Sequence, residues 1–183
     1  MKKSRYIYLI IPFLRGISLF LILSGLMGII GCNSQAKNIT DWKSVLKVVP
    51  NDVAKGIVSD FFQEVVDETT SQNLEGVQLS KKLVLFRMTS PSHCGYLGCL
   101  HIAYQEDGGR YTSVLKRYIY PYLPKNRHQI QLLKQPPNGI IAKSSLPCLR
   151  FFQVNPVHNK LEQITECFDG NIYQVVESKI YPL

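Results

Sequence analysis

The side chains of this chain that are best suited to chemistry are its five cysteines and four histidines. The pairs His93-Cys94 and Cys99-x-His101 place two sulfurs and two imidazoles within nine residues, and zinc prefers these atoms. That spacing matches no familiar zinc motif. A nucleophilic cysteine with a histidine base is a second interpretation. A structural disulfide between Cys94 and Cys99 is the third, because Gly95 and Gly98 allow the backbone angles that a small ring needs.

Cys148 and Cys167 fall on two segments with strand patterns, residues 148–154 and 161–168. If Val154 and Leu161 pair across the intervening loop, antiparallel register places Cys148 directly opposite Cys167. Cross-strand Cα separations lie within disulfide reach. The sequence therefore predicts the pairs Cys94–Cys99 and Cys148–Cys167. Closing about twenty residues with the second pair would add about 3 kcal/mol of stability.

The fifth cysteine, Cys32, ends an uncharged apolar run over residues 16–30. The segment before it has no acidic residue and four basic ones: Lys2, Lys3, Arg5 and Arg15. A basic start, a short apolar run and a small residue at the end are typical of a secretory signal. The run is shorter than the roughly 18–20 residues of a spanning helix.

The four residues Ile29-Ile30-Gly31-Cys32 resemble the lipobox of bacterial lipoproteins. This resemblance covers residues 1–32 only. It implies that Cys32 receives a thioether-linked diacylglycerol, becomes the first residue after cleavage, and holds the protein to a membrane through acyl chains. Asn33, rather than Asp, then implies the periplasmic side of the outer membrane in a bacterium with two membranes. An uncleaved anchor over residues 6–30 and ordinary cleavage after Ala36 are the alternatives.

Cleavage before Cys32 would leave 152 residues with 17 basic and 13 acidic side chains, a formal charge of +4. The expected organisation is a signal peptide at 1–31, a lipidated terminus and tether at 32–40, and one domain at 41–183. Four cysteines then remain, and an even number in an oxidising compartment favours two disulfides. The same compartment excludes nucleic acid as the expected partner.

The elements that would position the cysteines are a helix and a series of strands. From Asn51 or Asp52, apolar residues recur at helical spacing: Val53, Ile57, Val58, Phe61, Phe62, Val65 and Val66. Strand patterns begin near residue 77 and continue through 82–88, 100–104, 111–120, 129–133, 148–154, 161–168 and 172–176. We expect an α+β fold in which an N-terminal amphipathic helix packs on one antiparallel sheet of about six strands. Residues 40–47 are a candidate second, short helix.

Residues 116–128 form the most unusual segment, with four cations, three tyrosines and no acid. On a strand, Arg117 and Ile119 would point one way and Lys116, Tyr118 and Tyr120 the other. Tyrosines beside cations can stack on sugars or bind anionic groups, which suits wall glycan, lipopolysaccharide or lipid headgroups. A solvated strand followed by a proline-stiffened connection is the alternative. The candidate binding residues are Lys116, Arg117, Tyr118, Tyr120, Tyr122, Lys125 and Arg127.

No enzyme motif is recognisable, and no cofactor is expected. Cys94-Gly95-x-x-Gly98-Cys99 and Phe168-Asp169-Gly170-x-x-Tyr173 resemble segments of small secreted bacterial proteins. The expected function is that of a non-enzymatic, lipid-anchored envelope protein that binds a protein or an anionic envelope polymer. A tethered inhibitor of wall-degrading enzymes is the first alternative. An envelope hydrolase or thiol/zinc enzyme is the least favoured.

Overall fold

Two antiparallel sheets and one helix make up the part of the chain that the structure, a computed structural model, describes: residues 36–62, 73–89, 94–123, 128–137, 145–155 and 157–183. These residues belong to one compact unit spanning residues 34–183. The predicted lipidation residue Cys32, together with His93, Lys125 and Arg127, lies outside the described residues.

Within these ranges the elements follow one another in the order strand, strand, helix and then eight further strands. They are β1 (Ala36–Asn38), β2 (Lys43–Ser44), α1 (Asn51–Phe62), β3 (Leu74–Ser80), β4 (Leu83–Met88), β5 (Cys99–Asp107), β6 (Arg110–Ile119), β7 (Ile130–Leu133), β8 (Cys148–Asn155), β9 (Lys160–Phe168) and β10 (Tyr173–Pro182). A 3-10 turn at Val45–Lys47 links β2 to α1.

The strands form two five-stranded sheets. The N-terminal sheet has the order β2-β3-β4-β5-β6, and the C-terminal sheet has the order β1-β7-β8-β9-β10. All strand pairs are antiparallel. The described part of the chain thus begins with an edge strand of the C-terminal sheet, forms the N-terminal sheet with β2 to β6, and returns to the C-terminal sheet with β7.

The N-terminal sheet is the middle layer of three. Leu83 and Leu85 of β4 pack in one hydrophobic cluster with Leu149 and Phe151 of the C-terminal sheet. Val84, which points to the opposite face, packs in a second cluster with helix residues. A strand buried on both faces needs apolar side chains at successive positions, which explains the continuous apolar run of β4.

The prediction of one sheet preceded by an N-terminal helix is wrong. β1 and β2 come before α1, and the strands divide into two sheets. The division falls after Ile119, near Pro121, where the missing proline N–H cannot continue a ladder. Within residues 40–47, which were predicted as a short helix, Lys43–Ser44 form β2 and Val45–Lys47 form the 3-10 turn.

Both predicted disulfides are confirmed. Cys94 is bonded to Cys99, with their Cα atoms 4.2 Å apart, and Cys148 is bonded to Cys167, with 4.3 Å between Cα atoms. The register behind the second prediction is also present, since Val154 pairs with Leu161. None of the helices in the described ranges has the length and hydrophobicity of a membrane span.

Candidate functional site

The tyrosines of residues 116–128 lie along an outer edge of the N-terminal sheet. β6 is an edge strand. Lys116 and Tyr118 are exposed, and half of the Tyr118 surface is accessible to solvent. Arg117 and Ile119 are turned inward, and Ile119 belongs to the core between the sheets. Among residues 116–119 of β6, Lys116 and Tyr118 are therefore the ones that a partner can reach.

Arg117 has a structural contact. Its guanidinium forms an ion pair with Glu166 on β9, so the pair joins the two sheets. The same guanidinium carbon lies 5.3 Å from the centre of the Phe151 ring, within cation–π range. Both charged side chains are largely buried. A ligand could recruit Arg117 only by leaving the Glu166 carboxylate unpaired in the interior.

Tyr118 and Tyr120 line a groove of about 360 Å³. Tyr96 and Leu97, from the loop before β5, line it as well. These two side chains are 73% and 66% exposed. We call this feature the tyrosine groove. Its aromatic and aliphatic residues come from three segments of the chain, since Val154 and Val157 line it as well.

The loop that carries Tyr96 and Leu97 is held in place covalently and sterically. The Cys94–Cys99 disulfide closes it, and the Gly98 N–H donates a 2.9 Å hydrogen bond to the Gly95 carbonyl. Gly98 has a φ of +106°, and a Cβ there would collide with the main chain of Ile119. Glycine is thus required, and the tip is presented as a rigid unit.

Strands β8 and β9 and the loop between them line the tyrosine groove with polar and apolar residues: Gln153, Val154, Asn155, Val157 and Glu162. Glu162 on β9 accepts hydrogen bonds of 3.0 Å from the side-chain amides of Gln153 and Asn155. These bonds, the one from Asn155 first, lower the pKa of Glu162 despite partial burial, and the nearby charges of His158 and Arg117 act in the same direction. Glu162 is therefore ionised at neutral pH, and its carboxylate can accept hydrogen bonds from a ligand.

Comparison with family models, with curated proteins and with solved structures finds no match for this chain. The groove itself therefore supplies the functional argument.

Tyr122 extends the aromatic surface beyond the groove. Its ring meets Tyr120 edge to face, with 5.6 Å between the ring centres, and most of its surface is exposed. Of the seven candidate binding residues, Tyr118 and Tyr120 line the groove and Tyr122 adjoins it through Tyr120. The other described candidates, Lys116 and Arg117, are not among its lining residues.

Several residues that line the groove are not among the seven candidate binding residues predicted from the sequence. The polar residues Gln153, Asn155 and Glu162 have no motif around them and meet only because β8 pairs with β9. Tyr96 and Leu97 carried a detectable signal, because two large apolar residues at the tip of a six-residue disulfide loop must be exposed.

The two alternative hypotheses for Cys94 and Cys99, a zinc site and a nucleophilic cysteine, both require free sulfur atoms. Cys94 and Cys99 are bonded to each other, so neither can act as a thiolate or a zinc ligand in this state. In the described ranges, no three His, Cys, Asp or Glu side chains are grouped closely enough to hold a metal ion.

Proposed function

We propose that this chain is a lipid-anchored protein of the bacterial cell envelope that binds a wall glycan through the tyrosine groove and catalyses no reaction. The observation that carries the proposal is the combination of aromatic and hydrogen-bonding side chains in the lining of the groove. Tyr96, Tyr118 and Tyr120 supply aromatic surface, and Glu162 with its two amide neighbours supplies hydrogen-bonding groups. Val154 and Val157 add apolar surface. Sugar rings have an apolar face that stacks on aromatic rings and hydroxyls at the rim that donate to carboxylates.

The charges of the groove favour an uncharged glycan over the anionic polymer expected from the sequence. Glu162 places a negative charge in the groove, and Arg117 is neutralised by Glu166. An anionic ligand would be repelled by Glu162, whereas hydroxyl groups would be attracted to it. Lys116 is exposed on β6 and offers one cation to a polymer that extends beyond the groove.

The proposed anchor rests on the lipobox at Cys32. β1 begins at Ala36 and pairs with β7, so three residues, 33–35, separate Cys32 from this strand in the sequence. Even fully extended, a chain from Cys32 to Ala36 spans at most about 14 Å. Lipidation at Cys32 would therefore hold the domain close to the membrane surface. The intact mass of membrane-extracted protein tests this point, and an unmodified Met1 terminus would contradict it.

The binding proposal is tested by calorimetric titration of the full chain in detergent with soluble, uncharged wall-glycan strands. Replacing Tyr118 by Ala should weaken binding about tenfold, which corresponds to about 1.4 kcal/mol. Glu162→Gln should weaken it by a similar or larger factor, because hydrogen bonds to charged groups contribute about 1.5–3 kcal/mol. Tyr181→Ala, at a tyrosine outside the groove, is the matched control. Equal affinities for all four proteins would refute the groove as the glycan site.

A second candidate function, inhibition of a wall-degrading enzyme, is favoured by the tip of the 94–99 loop. Tyr96 and Leu97 project from a disulfide-closed turn, and rigid exposed loops of this kind can insert into an enzyme cleft with little entropy cost. Muramidase assays with the full chain test this idea. Inhibition that disappears in Leu97→Ala would support it, and the absence of inhibition of any muramidase would remove it.

A further inference from the structure

In the described part of the chain, the two sheets have four edge strands, of which two are short and two are long. β1 and β2 have three and two residues, whereas β6 and β10 have ten residues each. A long edge strand carries a row of backbone N–H and C=O groups on the side that faces away from its sheet. An added strand can pair with this row, so β6 and β10 are the edges at which another chain could extend a sheet.

A β-bulge in β10 determines which of its side chains share a face. The ladder with β9 passes from the pair Val175–Glu166 directly to the pair Glu177–Thr165. Val176 and Glu177 therefore occupy one place in the ladder, opposite a single residue of β9. Because of this extra residue, Val175 lies on the same face of the sheet as Ser178 and Ile180, and Glu177 lies on the other face with Lys179.

β10 exposes both apolar and charged side chains along this edge. Val175 and Ile180, on one face, are 56% and 61% exposed. On the other face, Lys179 Nζ lies 2.6 Å from Glu177 Oε1, and the lysine side chain is half exposed. Glu177 and Lys179 are the residues on either side of Ser178. An acid and a base that flank one residue in this way are complementary to a reversed copy of themselves.

We propose that β10 binds β10 of a second copy of this chain, in antiparallel orientation about a two-fold axis at Ser178, so that the two C-terminal sheets join into one continuous sheet. With Ser178 opposite Ser178, Glu177 of each copy lies opposite Lys179 of the other. Since Val176 and Glu177 share one place in the ladder, the next pair in the same register is Val175 with Ile180. One register thus forms two ion pairs and two apolar pairs, as a two-fold axis requires.

The other long edge strand does not fit a copy of itself. β6 contains Arg110, Lys116 and Arg117 and no acidic residue, so no register of β6 with its own copy places an acid opposite the exposed Lys116. Lysines and bulges commonly protect edge strands from association. On β10 they do not prevent it, because Lys179 meets an acid of the second copy and the two-fold axis places the two bulges at equivalent positions.

The association is measured by sedimentation equilibrium of the full chain in density-matched detergent, over a range of protein concentrations. The parent protein should change from one copy to two copies per complex as the concentration rises. Lys179→Glu should weaken this self-association at least about tenfold, because it places an acid opposite Glu177 at two symmetric positions. Lys81→Glu makes the same charge change at an exposed lysine of the β3–β4 turn and should associate as the parent protein does.

A mixing experiment tests the register. Glu177→Lys alone should also associate at least about tenfold more weakly than the parent protein, because two lysines then lie opposite each other. An equimolar mixture of Glu177→Lys and Lys179→Glu should form the two-copy complex again, because every lysine at these positions then meets an acid of the other variant.

Glu177 also contacts Arg150, with 3.7 Å between Oε2 and the guanidinium, so Glu177→Lys can destabilise the fold. If that variant does not fold, the comparison of Lys179→Glu with Lys81→Glu still decides. Three results would overturn the proposal: a parent protein that stays a single copy at all concentrations, an association that Lys179→Glu weakens no more than Lys81→Glu does, or a mixture of the two folded variants that does not associate.

Discussion

The burial of a neutral His101 between Arg87 and Arg117 predicts a specific loss of stability in acid. The folded protein holds the pKa of this imidazole near 4, whereas an unfolded chain has a value of 6.5. Between these two pH values the His101 imidazole binds a proton in the unfolded chain and does not bind one in the folded protein. Lowering the pH therefore shifts the equilibrium toward unfolding, and the effect is absent above pH 6.5 and complete near pH 4.

The size of the effect follows from the two pKa values. Each tenfold change in a proton affinity is about 1.4 kcal/mol, so the full effect is about 3 kcal/mol. By pH 4.5, about 2–3 kcal/mol of unfolding free energy should be lost through His101 alone. The groups that face the ring oppose its protonation on balance. The guanidinium of Arg87 disfavours a second positive charge, and Glu75 and Glu166 are already engaged with the two arginines.

The measurement is urea unfolding followed by Trp42 fluorescence between pH 7.5 and 4.5, for the parent protein and for His101→Asn. The pKa of Glu162 and that of Glu177 are also lowered, so both proteins should lose stability in acid. The difference between the two proteins isolates His101. His101→Asn should be less stable than the parent protein at pH 7.5. The difference between their unfolding free energies should become smaller by about 2–3 kcal/mol at pH 4.5. Parallel pH profiles would refute a buried neutral imidazole.

Two further predictions use neighbouring or equivalent residues as controls. Arg117→Met should lower the unfolding free energy by about 3–5 kcal/mol because it leaves the Glu166 carboxylate buried and unpaired, whereas Lys116→Met on the exposed face should change it by less than about 0.5 kcal/mol. Equal losses in urea unfolding would contradict the assignment of Arg117 to the interface between the sheets. Gly98→Ala should be more damaging than Gly108→Ala, although both glycines have a positive φ, because a Cβ meets main chain at position 98 and open space at position 108. Thermal unfolding checks this order, and a larger loss at Gly108 would contradict it.

The strands and their local pairing could be predicted because they depend on neighbouring residues. The β8–β9 register was predictable from one assumed pair, Val154 with Leu161. A slip of one residue would turn every buried side chain of the hairpin outward, so the hydrophobic pattern permits few alternatives. The disulfide between Cys148 and Cys167 followed from that register. For the same reason, the exposed Lys116 and the inward Arg117 agree with the predicted alternation on β6.

The assignment of strands to two sheets could not be predicted in this way. β1 has three exposed residues with no hydrophobic pattern, and it pairs with β7, more than ninety residues later. Such pairing depends on how the whole chain packs. The tyrosine groove could not be predicted for the same reason. Glu162 has no distinguishing neighbours in sequence, and only the pairing of β8 with β9 brings it to the side-chain amides of Gln153 and Asn155. His101 was selected as a ligand candidate, and only the three-dimensional structure reveals that its free nitrogen is buried.

The most direct test of the proposed glycan site is a map of the residues that respond to an uncharged wall-glycan fragment. Backbone ¹H–¹⁵N spectra of the full chain in detergent should be recorded during the titration. Saturable shifts are expected at Tyr96, Leu97, Tyr118 and Glu162, with little change along β10. Saturable shifts confined to another surface, or none at any accessible concentration, would contradict the claim that the tyrosine groove binds glycan.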